Sequence, residues 1–347
     1  MQQDRLSNLD VFRALAALVV CLFHFDRNGF LGVSAVSGVL RHGYLGVDVF
    51  FVISGFIIPF SLCRSGYEFK DMRAFLVSRL IRLYPAYLVA GIAAVALWYI
   101  STLVPGFRGE HPSFSSTQII SNIFLLCDFT GTSWFIPVFW TLAIEAQYYV
   151  LIAISFPLML SKSPALRWCI MAVWVFAPLL VGSGPSVFSY SALFALGIVT
   201  FQWKANRVGM SEFVITIILA ALVHGSIGSS ISATVSVAAT LAIAFAPRIN
   251  FSPMVWIGVV SYSLYLIHIP FGGRVINFAE RLPEIIWIRA AAIIIALLVS
   301  IAVAAVFYNL IEKPSHALSR NVRKRLTNTG EQDADDQLPA RAESKAE

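Results

Sequence analysis

Residues 285–311 read IIWIRAAAIIIALLVSIAVAAVFYNLI, and Arg289 is the only charged residue in this run. A helix that crosses the hydrocarbon core of a bilayer needs about 20 consecutive, mostly apolar residues. This run is long enough and apolar enough to cross, so it predicts a transmembrane helix. It decides the class of fold, because the remainder of the chain has the same character.

The composition of the whole chain is that of a membrane protein. Of its 347 residues, 58% are hydrophobic and only 13% are charged, and the mean hydropathy is +0.77. These values lie outside the balance of soluble globular domains. They exclude a soluble enzyme, and they leave little room for a domain outside the membrane.

Ten apolar stretches separated by polar or Gly- and Pro-containing segments follow one another along the chain. They lie at about residues 9–25, 46–62, 84–104, 136–160, 167–182, 188–203, 211–224, 230–247, 254–269 and 285–311. A further stretch, 117–128, is too short to cross and predicts a re-entrant or interfacial helix. We therefore predict an all-α integral membrane protein with about ten transmembrane helices.

The basic residues predict the orientation, since Lys and Arg collect in cytoplasmic loops. With the N-terminus inside, nineteen of the 25 Lys and Arg residues fall in cytoplasmic segments, so both termini are predicted to be cytoplasmic. The net charge of +6 is then a topology signal, and no nucleic acid is expected as a partner. No small-residue cleavage site follows the first apolar run, which indicates a retained span. Residues 1–315 form the predicted membrane domain, and the charged tail 316–347 is predicted to be disordered.

The cysteines do not indicate a metal centre or a disulfide framework. All four lie in or beside apolar runs, without a C-x-x-C pair. We interpret them as packing residues, as buried free cysteines usually are. No metal site is predicted.

A few ionisable residues lie inside the predicted spans, where such groups are costly and usually serve function. Arg13 and His24 share the first span and are separated by roughly 16 Å along a helix that rises 1.5 Å per residue. Asp48 opens the second span and His268 ends the ninth, so the topology places both at the depth of His24, near the outer face. Glu145 lies nearer the middle of the membrane.

Each of these residues also has a structural interpretation. Asp48 could cap its helix by accepting backbone N–H bonds. His24 and His268 could be satisfied core or interfacial histidines, and Glu145 could belong to a buried structural ion pair.

Arg79 and Arg82 lie on one helical face in the segment after the second span. Their guanidinium groups suit phosphate oxygens, so one interpretation is a phosphate-binding pair, although composition alone favours the other. The alternative is an ordinary positive-inside charge or a contact with lipid head groups.

Taken together, these segments resemble acyltransferase family 3, a family of integral membrane acyltransferases. The motifs that carry the resemblance run in order from residue 9 to residue 268. They are Arg13-x10-His24, Gly43-Tyr-Leu-Gly-Val-Asp48-Val-Phe-Phe-Val-Ile-Ser-Gly55-Phe, Arg79-x-x-Arg82-Leu-Tyr-Pro, Phe139-Trp-Thr-Leu-Ala-Ile-Glu145-Ala-Gln-Tyr-Tyr and Ser261-Tyr-Ser-Leu-Tyr-Leu-Ile-His268.

The resemblance implies a ten-helix fold that transfers an acyl group, commonly acetyl, from cytoplasmic acyl-CoA to an acceptor on the outer side. It implies His24 as the catalytic residue with Arg13 as its partner, and Asp48, Glu145 and His268 as further site residues. Arg79 and Arg82 become candidates for the CoA phosphates. His24 would act as general base, with Asp48 or Glu145 holding its tautomer, or as a covalent acyl carrier.

The acceptor implied by the resemblance is a cell-surface polysaccharide or its lipid-linked oligosaccharide precursor, and the predicted location is the bacterial inner membrane among its lipids. Two other classes of function remain open from the residues. A transporter or flippase of a sugar or lipid-linked glycan would also need intramembrane polar residues, although the inverted repeats typical of transporters are not evident. A non-catalytic partner in an envelope assembly is the third class.

Overall fold

Every regular element in the described part of the chain is helical. The structure is a computed structural model that describes residues 4–107, 109–247, 249 and 251–336. The helices are α1 Asp4–Phe25, α2 Ser34–Leu40, α3 Gly46–Arg64, α4 Met72–Thr102, α5 Ser116–Ile123, α6 Cys127–Thr130, α7 Trp140–Met159, α8 Pro164–Val181, α9 Ser191–Lys204, α10 Met210–Ile227, α11 Ser230–Phe245, α12 Ser252–Val259, α13 Ser261–Ile267, α14 Gly273–Ala279, α15 Ile286–Phe307 and α16 Lys313–Asp336. The all-α prediction is confirmed for these residues.

Seven helical segments of the described chain are long and apolar enough to cross a membrane. An eighth candidate is the pair α12 and α13–α14, which bends by 59° at the break between Val259 and Ser261. Each of the ten predicted stretches contains helix, so the protein is a multi-pass membrane protein. The number of ten spans stays a prediction.

Two of the predicted spans form helices shorter than a bilayer crossing requires. α9 has 14 residues, and its residues Ser191–Gln202 are all buried by neighbouring helices. α11 has 16 residues. The segment predicted to be re-entrant or interfacial forms α5 and α6, which are 8 and 4 residues long and too short to cross.

Close helix contacts in the bundle depend on glycine. A side chain at Gly197 of α9 would place its Cβ 2.1 Å from the carbonyl oxygen of Val52 in α3, and a Cβ at Gly55 of α3 would lie 2.3 Å from the carbonyl oxygen of Phe194. Glycine on both helices therefore lets the two backbones touch, which is a common way to pack helices where lipid removes the hydrophobic driving force. α3 is thereby held at the centre of the bundle.

The C-terminal helix α16 packs along α4. Ser319 donates a hydrogen bond of 2.6 Å to the carbonyl oxygen of Ser78, and Arg323 donates one of 2.8 Å to the hydroxyl of Ser65. The tail predicted to be disordered begins inside this helix, and its final residues, 337–347, lie outside the described residues.

Candidate active site

A cavity of about 460 Å³ lies among α1, α3, α4, α7 and α13. Along α3 it extends from Val47 to Arg64, about 25 Å at 1.5 Å per residue. We call the part lined by Arg13, Arg64, Arg79 and Arg82 the arginine end. We call the part lined by Val47, Phe50, Thr141 and Tyr265 the aromatic end.

Arg79 is the most informative residue of the arginine end, because it is buried with no counter-ion in contact. Its side chain is 9% exposed, and its guanidinium lies 5.2 Å from the ring of Phe75 and 5.6 Å from the ring of Tyr149. Among the described residues, no carboxylate oxygen lies within 4.0 Å of the guanidinium of Arg79, and the same holds for Arg13 and Arg82. A buried cation usually has a paired anion. Arg13 and Arg82 are partly buried, and together with the buried Arg79 they form a site around one cavity that is suited to an anionic ligand.

Three carboxylates line the cavity, Asp10, Glu145 and Glu312, and the last two hydrogen-bond to hydroxyl and backbone donors. Glu145 accepts a hydrogen bond of 2.5 Å from the hydroxyl of Tyr149, one helical turn further along α7. Glu312, 1% exposed, accepts hydrogen bonds from the hydroxyl of Ser263 at 2.5 Å and from its backbone N–H at 3.2 Å. Because four arginines and three carboxylates line the cavity, its lining keeps a formal excess of one positive charge.

Two π-helical turns position the functional side chains of the last helices. His268–Gly272 separates α13 from α14, and Tyr308–Glu312 separates α15 from α16. A π turn adds a residue to the helix and rotates the side chains beyond it, and such turns are frequent at functional sites. Here they carry His268 and Glu312, both of which face the interior of the bundle.

One hydroxyl in the cavity has no partner. The side chain of Ser261, at the start of α13, is fully buried and lines the cavity, and its oxygen makes no hydrogen bond within the described chain. Buried polar atoms are nearly always paired, so an orphan of this kind needs an explanation. A polar ligand in the cavity would supply one.

His24 and His268 meet beyond the aromatic end of the cavity. His268 Nε2 lies 3.2 Å from His24 Nδ1, and the ring centroids are 5.0 Å apart. His268 is fully buried and His24 half-buried. The sequence placed these two residues at one depth, and the structure brings their side chains into contact.

The surrounding carbonyl groups define the tautomers of both rings. His268 Nδ1 lies 2.8 Å from the carbonyl oxygen of Tyr265, and His24 Nδ1 lies 2.9 Å from that of Val20. A carbonyl oxygen can only accept, so both Nδ1 atoms carry the proton. The Nδ1–H of His24 is therefore shared between the carbonyl oxygen of Val20 and His268 Nε2, and His24 Nε2 keeps its lone pair. No described residue hydrogen-bonds to that atom, so it is free to take a proton.

Asp48 lies in a different hydrogen-bonded group. Its carboxylate accepts a hydrogen bond of 2.5 Å from the hydroxyl of Ser232 on α11, and His224 Nε2 on α10 lies 2.6 Å from the same hydroxyl. The helix N-cap is Leu45, so Asp48 does not cap α3. The structure places neither Asp48 nor Glu145 against His24, whose ring partners are Val20 and His268.

The structure thus gathers Arg13, Arg79, Arg82 and Glu145 around one cavity, and it pairs His24 with His268 next to it. Sequence reasoning missed several residues of these groups. They are Arg64, Thr141, His224, Ser232, Ser261 and Glu312.

Of these residues, Glu312 has the clearest signal in the sequence, because it is a carboxylate that directly follows the longest apolar run. The described residues contain no group of three or more His, Cys, Asp or Glu side chains arranged to hold a metal ion.

Comparison with known proteins matches this architecture to one family. The family model for the acyltransferase domain of acyltransferase family 3 matches residues 6–309. BcsY of Komagataeibacter xylinus, named as a membrane-bound transacylase, is 28% identical over 299 residues, which cover 77% of this chain and 73% of BcsY.

Two further relatives are longer proteins. OatA of Listeria monocytogenes, named as a peptidoglycan O-acetyltransferase, is 25% identical over 364 residues, covering 88% of this chain and 55% of OatA. YrhL of Bacillus subtilis, named for the same activity, is 26% identical over 365 residues, covering 88% of this chain and 54% of YrhL. The chain therefore spans just over half the length of these two relatives. No solved structure matches it.

Proposed function

This chain belongs to acyltransferase family 3 and is a membrane-bound acyltransferase, and from this premise we propose that it transfers an acyl group, acetyl in the first place, from acyl-CoA to a hydroxyl of a surface glycan. The observation that carries the proposal is the buried Arg79 without a counter-ion, in a cavity whose far end adjoins a histidine with a free Nε2. The buried arginine suits an anionic acyl carrier, and the histidine with a free Nε2 suits an acceptor that offers a hydroxyl group.

The donor in this proposal lies along α3. Its phosphates bind at the arginine end to Arg13, Arg79 and Arg82, because guanidinium groups form charge-assisted hydrogen bonds with phosphate oxygens. The pantetheine arm extends toward the aromatic end past Ser261, whose orphan hydroxyl can donate to one of the arm's amide carbonyls. The thioester is thereby directed toward His24.

The chemistry in this proposal is general base catalysis. His24 Nε2 takes the proton of the acceptor hydroxyl while the hydroxyl oxygen attacks the thioester carbonyl. The C–S bond then breaks, and the imidazolium returns the proton to the departing sulfur, so that CoA leaves as the thiol.

His268 is the positioning residue in this scheme. Its Nε2 accepts the Nδ1–H of His24 and stabilises the charge that His24 acquires. The competing chemistry is a covalent acyl-histidine, which would use the same Nε2 atom as nucleophile.

We propose the bacterial cytoplasmic membrane as the location, with both termini inside. The arginine end then opens toward cytoplasmic acyl-CoA, and the histidine pair lies toward the outer face, where glycans are assembled. The polysaccharide or its lipid-linked precursor is the proposed acceptor. OatA is named as a peptidoglycan O-acetyltransferase, and peptidoglycan is the alternative acceptor that the test must distinguish for this chain.

The test measures O-acyl esters in three separate fractions of the cell envelope, namely polysaccharide, peptidoglycan and lipid. Cells with the gene deleted are compared with cells complemented by the wild type and by His24→Ala. We expect esters to disappear from the polysaccharide fraction on deletion and to return only with the wild type. Loss of esters from the peptidoglycan fraction alone would identify peptidoglycan as the acceptor instead. Unchanged esters in all three fractions would contradict the proposed function.

A further inference from the structure

Two aromatic rings of the cavity lining, Phe50 and Tyr265, face each other at the end nearest the histidine pair. The centroids of Phe50 and Tyr265 are 5.8 Å apart with planes at 72°, an edge-to-face contact. On its other side, the ring of Tyr265 lies 6.0 Å from that of His268, which in turn contacts His24. Neither histidine lines the cavity. An acyl group directed from the arginine end toward His24 therefore meets the ring pair of Phe50 and Tyr265.

Tyr265 is held in place from two directions. The hydroxyls of Tyr265 and Thr141 lie 2.9 Å apart and hydrogen-bond to each other, and both are within reach of the carbonyl oxygen of Val138, at 3.4 Å from Tyr265 and 2.9 Å from Thr141. The backbone carbonyl of Tyr265 accepts the hydrogen bond of His268 Nδ1. Displacing this ring would break the hydroxyl bond and disturb the segment that orients the histidine pair.

Phe50 is the other wall of the constriction. It is only partly buried, and its side chain has no polar atom that could anchor it. Because Tyr265 is fixed, the space available to an acyl chain at this end depends on the ring of Phe50. Phe60, ten residues further along α3, also lines the cavity, but it stacks on Phe56 at 6.1 Å and lies toward the arginine end.

We propose that Phe50, facing the fixed ring of Tyr265, sets the length of the acyl group and admits acetyl while excluding chains of four or more carbons. This inference rests on the proposed acyl-CoA donor. The physical reason is steric, since a tight apolar site discriminates by about 10- to 200-fold for each methylene group that it must reject. In this proposal, selectivity for acetyl depends on the phenyl ring of Phe50.

The experiment measures binding of two CoA thioethers, S-ethyl-CoA and S-butyl-CoA, to the full-length protein in lipid nanodiscs. Thioethers have no carbonyl, so they cannot be transferred, and no acceptor is needed. We expect the wild type to bind S-ethyl-CoA about tenfold or more tightly than S-butyl-CoA. Phe50→Ala should lower that ratio by about tenfold or more, and Phe50→Leu should give an intermediate ratio. Phe60→Ala is the matched control and should leave the ratio within about twofold of wild type.

The possible results separate the inference from the proposed function. Equal binding of both thioethers by the wild type would overturn the inference, as would an unchanged ratio in Phe50→Ala protein that still binds CoA and is therefore folded. Failure of the folded wild type to bind either thioether would instead contradict the acyl-CoA donor, and the inference would fail with it.

Discussion

Replacing Arg79 by methionine should move stability and donor binding in opposite directions. Arg79 is buried without a carboxylate in contact, and two aromatic rings face its guanidinium at 5.2 Å and 5.6 Å. Burying an ion costs several kcal/mol even after the protein relaxes. Each ring returns about 1–2 kcal/mol of cation–π attraction at a desolvated site. The Arg79→Met protein without ligand should therefore be as stable as the wild type or more stable, by about 0–4 kcal/mol.

The same substitution should weaken binding of CoA. A hydrogen bond to a charged group contributes about 1.5–3 kcal/mol, which corresponds to a loss of about 10- to 150-fold in affinity. At a CoA concentration of about 100 times the wild-type Kd, bound ligand stabilises the wild type by about 2.7 kcal/mol. With a Kd about 100 times weaker, the variant would gain only about 0.4 kcal/mol.

The assay is thermal unfolding of the detergent-solubilised full chain with and without CoA. Arg73→Met is the matched control, because Arg73 lies exposed on the same helix and does not line the cavity. The control should keep the wild-type shift in Tm on adding CoA. An Arg79→Met protein that unfolds at a lower temperature than wild type without CoA, yet keeps the full CoA-induced shift, would refute the reasoning and assign Arg79 a structural role.

Three further predictions concern other parts of the structure. His268→Asn should lower the acyl transfer rate by about 10²- to 10⁴-fold, which is the range for general acid–base catalysis. It should leave CoA affinity unchanged, and a parallel loss of CoA affinity would contradict the positioning role. Ser232→Ala should reduce the free energy of unfolding by about 1–3 kcal/mol, because the Asp48 carboxylate loses a donor; an unchanged Tm would show that this bond is not needed. Gly197→Ala should lower the free energy of unfolding by about 3 kcal/mol, because the added Cβ overlaps the α3 backbone, and should reduce the yield of monodisperse protein. Gly38→Ala is the control, because no atom lies within 4 Å of its added Cβ, and it should leave that yield unchanged.

The helices were largely predictable from the sequence, and the number of membrane spans was less so. Apolar runs such as residues 285–311 require burial in lipid or protein, and each predicted run does contain helix. The length of an apolar run does not show whether the helix it forms faces lipid or protein. α9 illustrates this limit, because it is mostly apolar like a span, but its residues Ser191–Gln202 are all buried within the protein.

The sequence allowed a prediction of how deep each site residue lies in the membrane, but not of the direction in which its side chain points. The rise of a helix gives the depth of a residue directly, and it placed His24, Asp48 and His268 at one level. The direction in which each side chain points depends on which helices pack against it. The structure turns Asp48 toward Ser232 and leaves the histidines to pair with each other. Glu312 was overlooked because it ends an apolar run, where a carboxylate is ordinarily solvated.

The central claim is that His24 performs the chemistry while the arginine end holds the donor. The most direct test uses membrane vesicles containing the wild type or His24→Ala, supplied with acetyl-CoA labelled in the acetyl group. It measures both CoA binding and incorporation of label into glycan. We predict that His24→Ala binds CoA like the wild type and incorporates no label above background. Incorporation at the wild-type rate, or loss of CoA binding together with incorporation, would contradict the account.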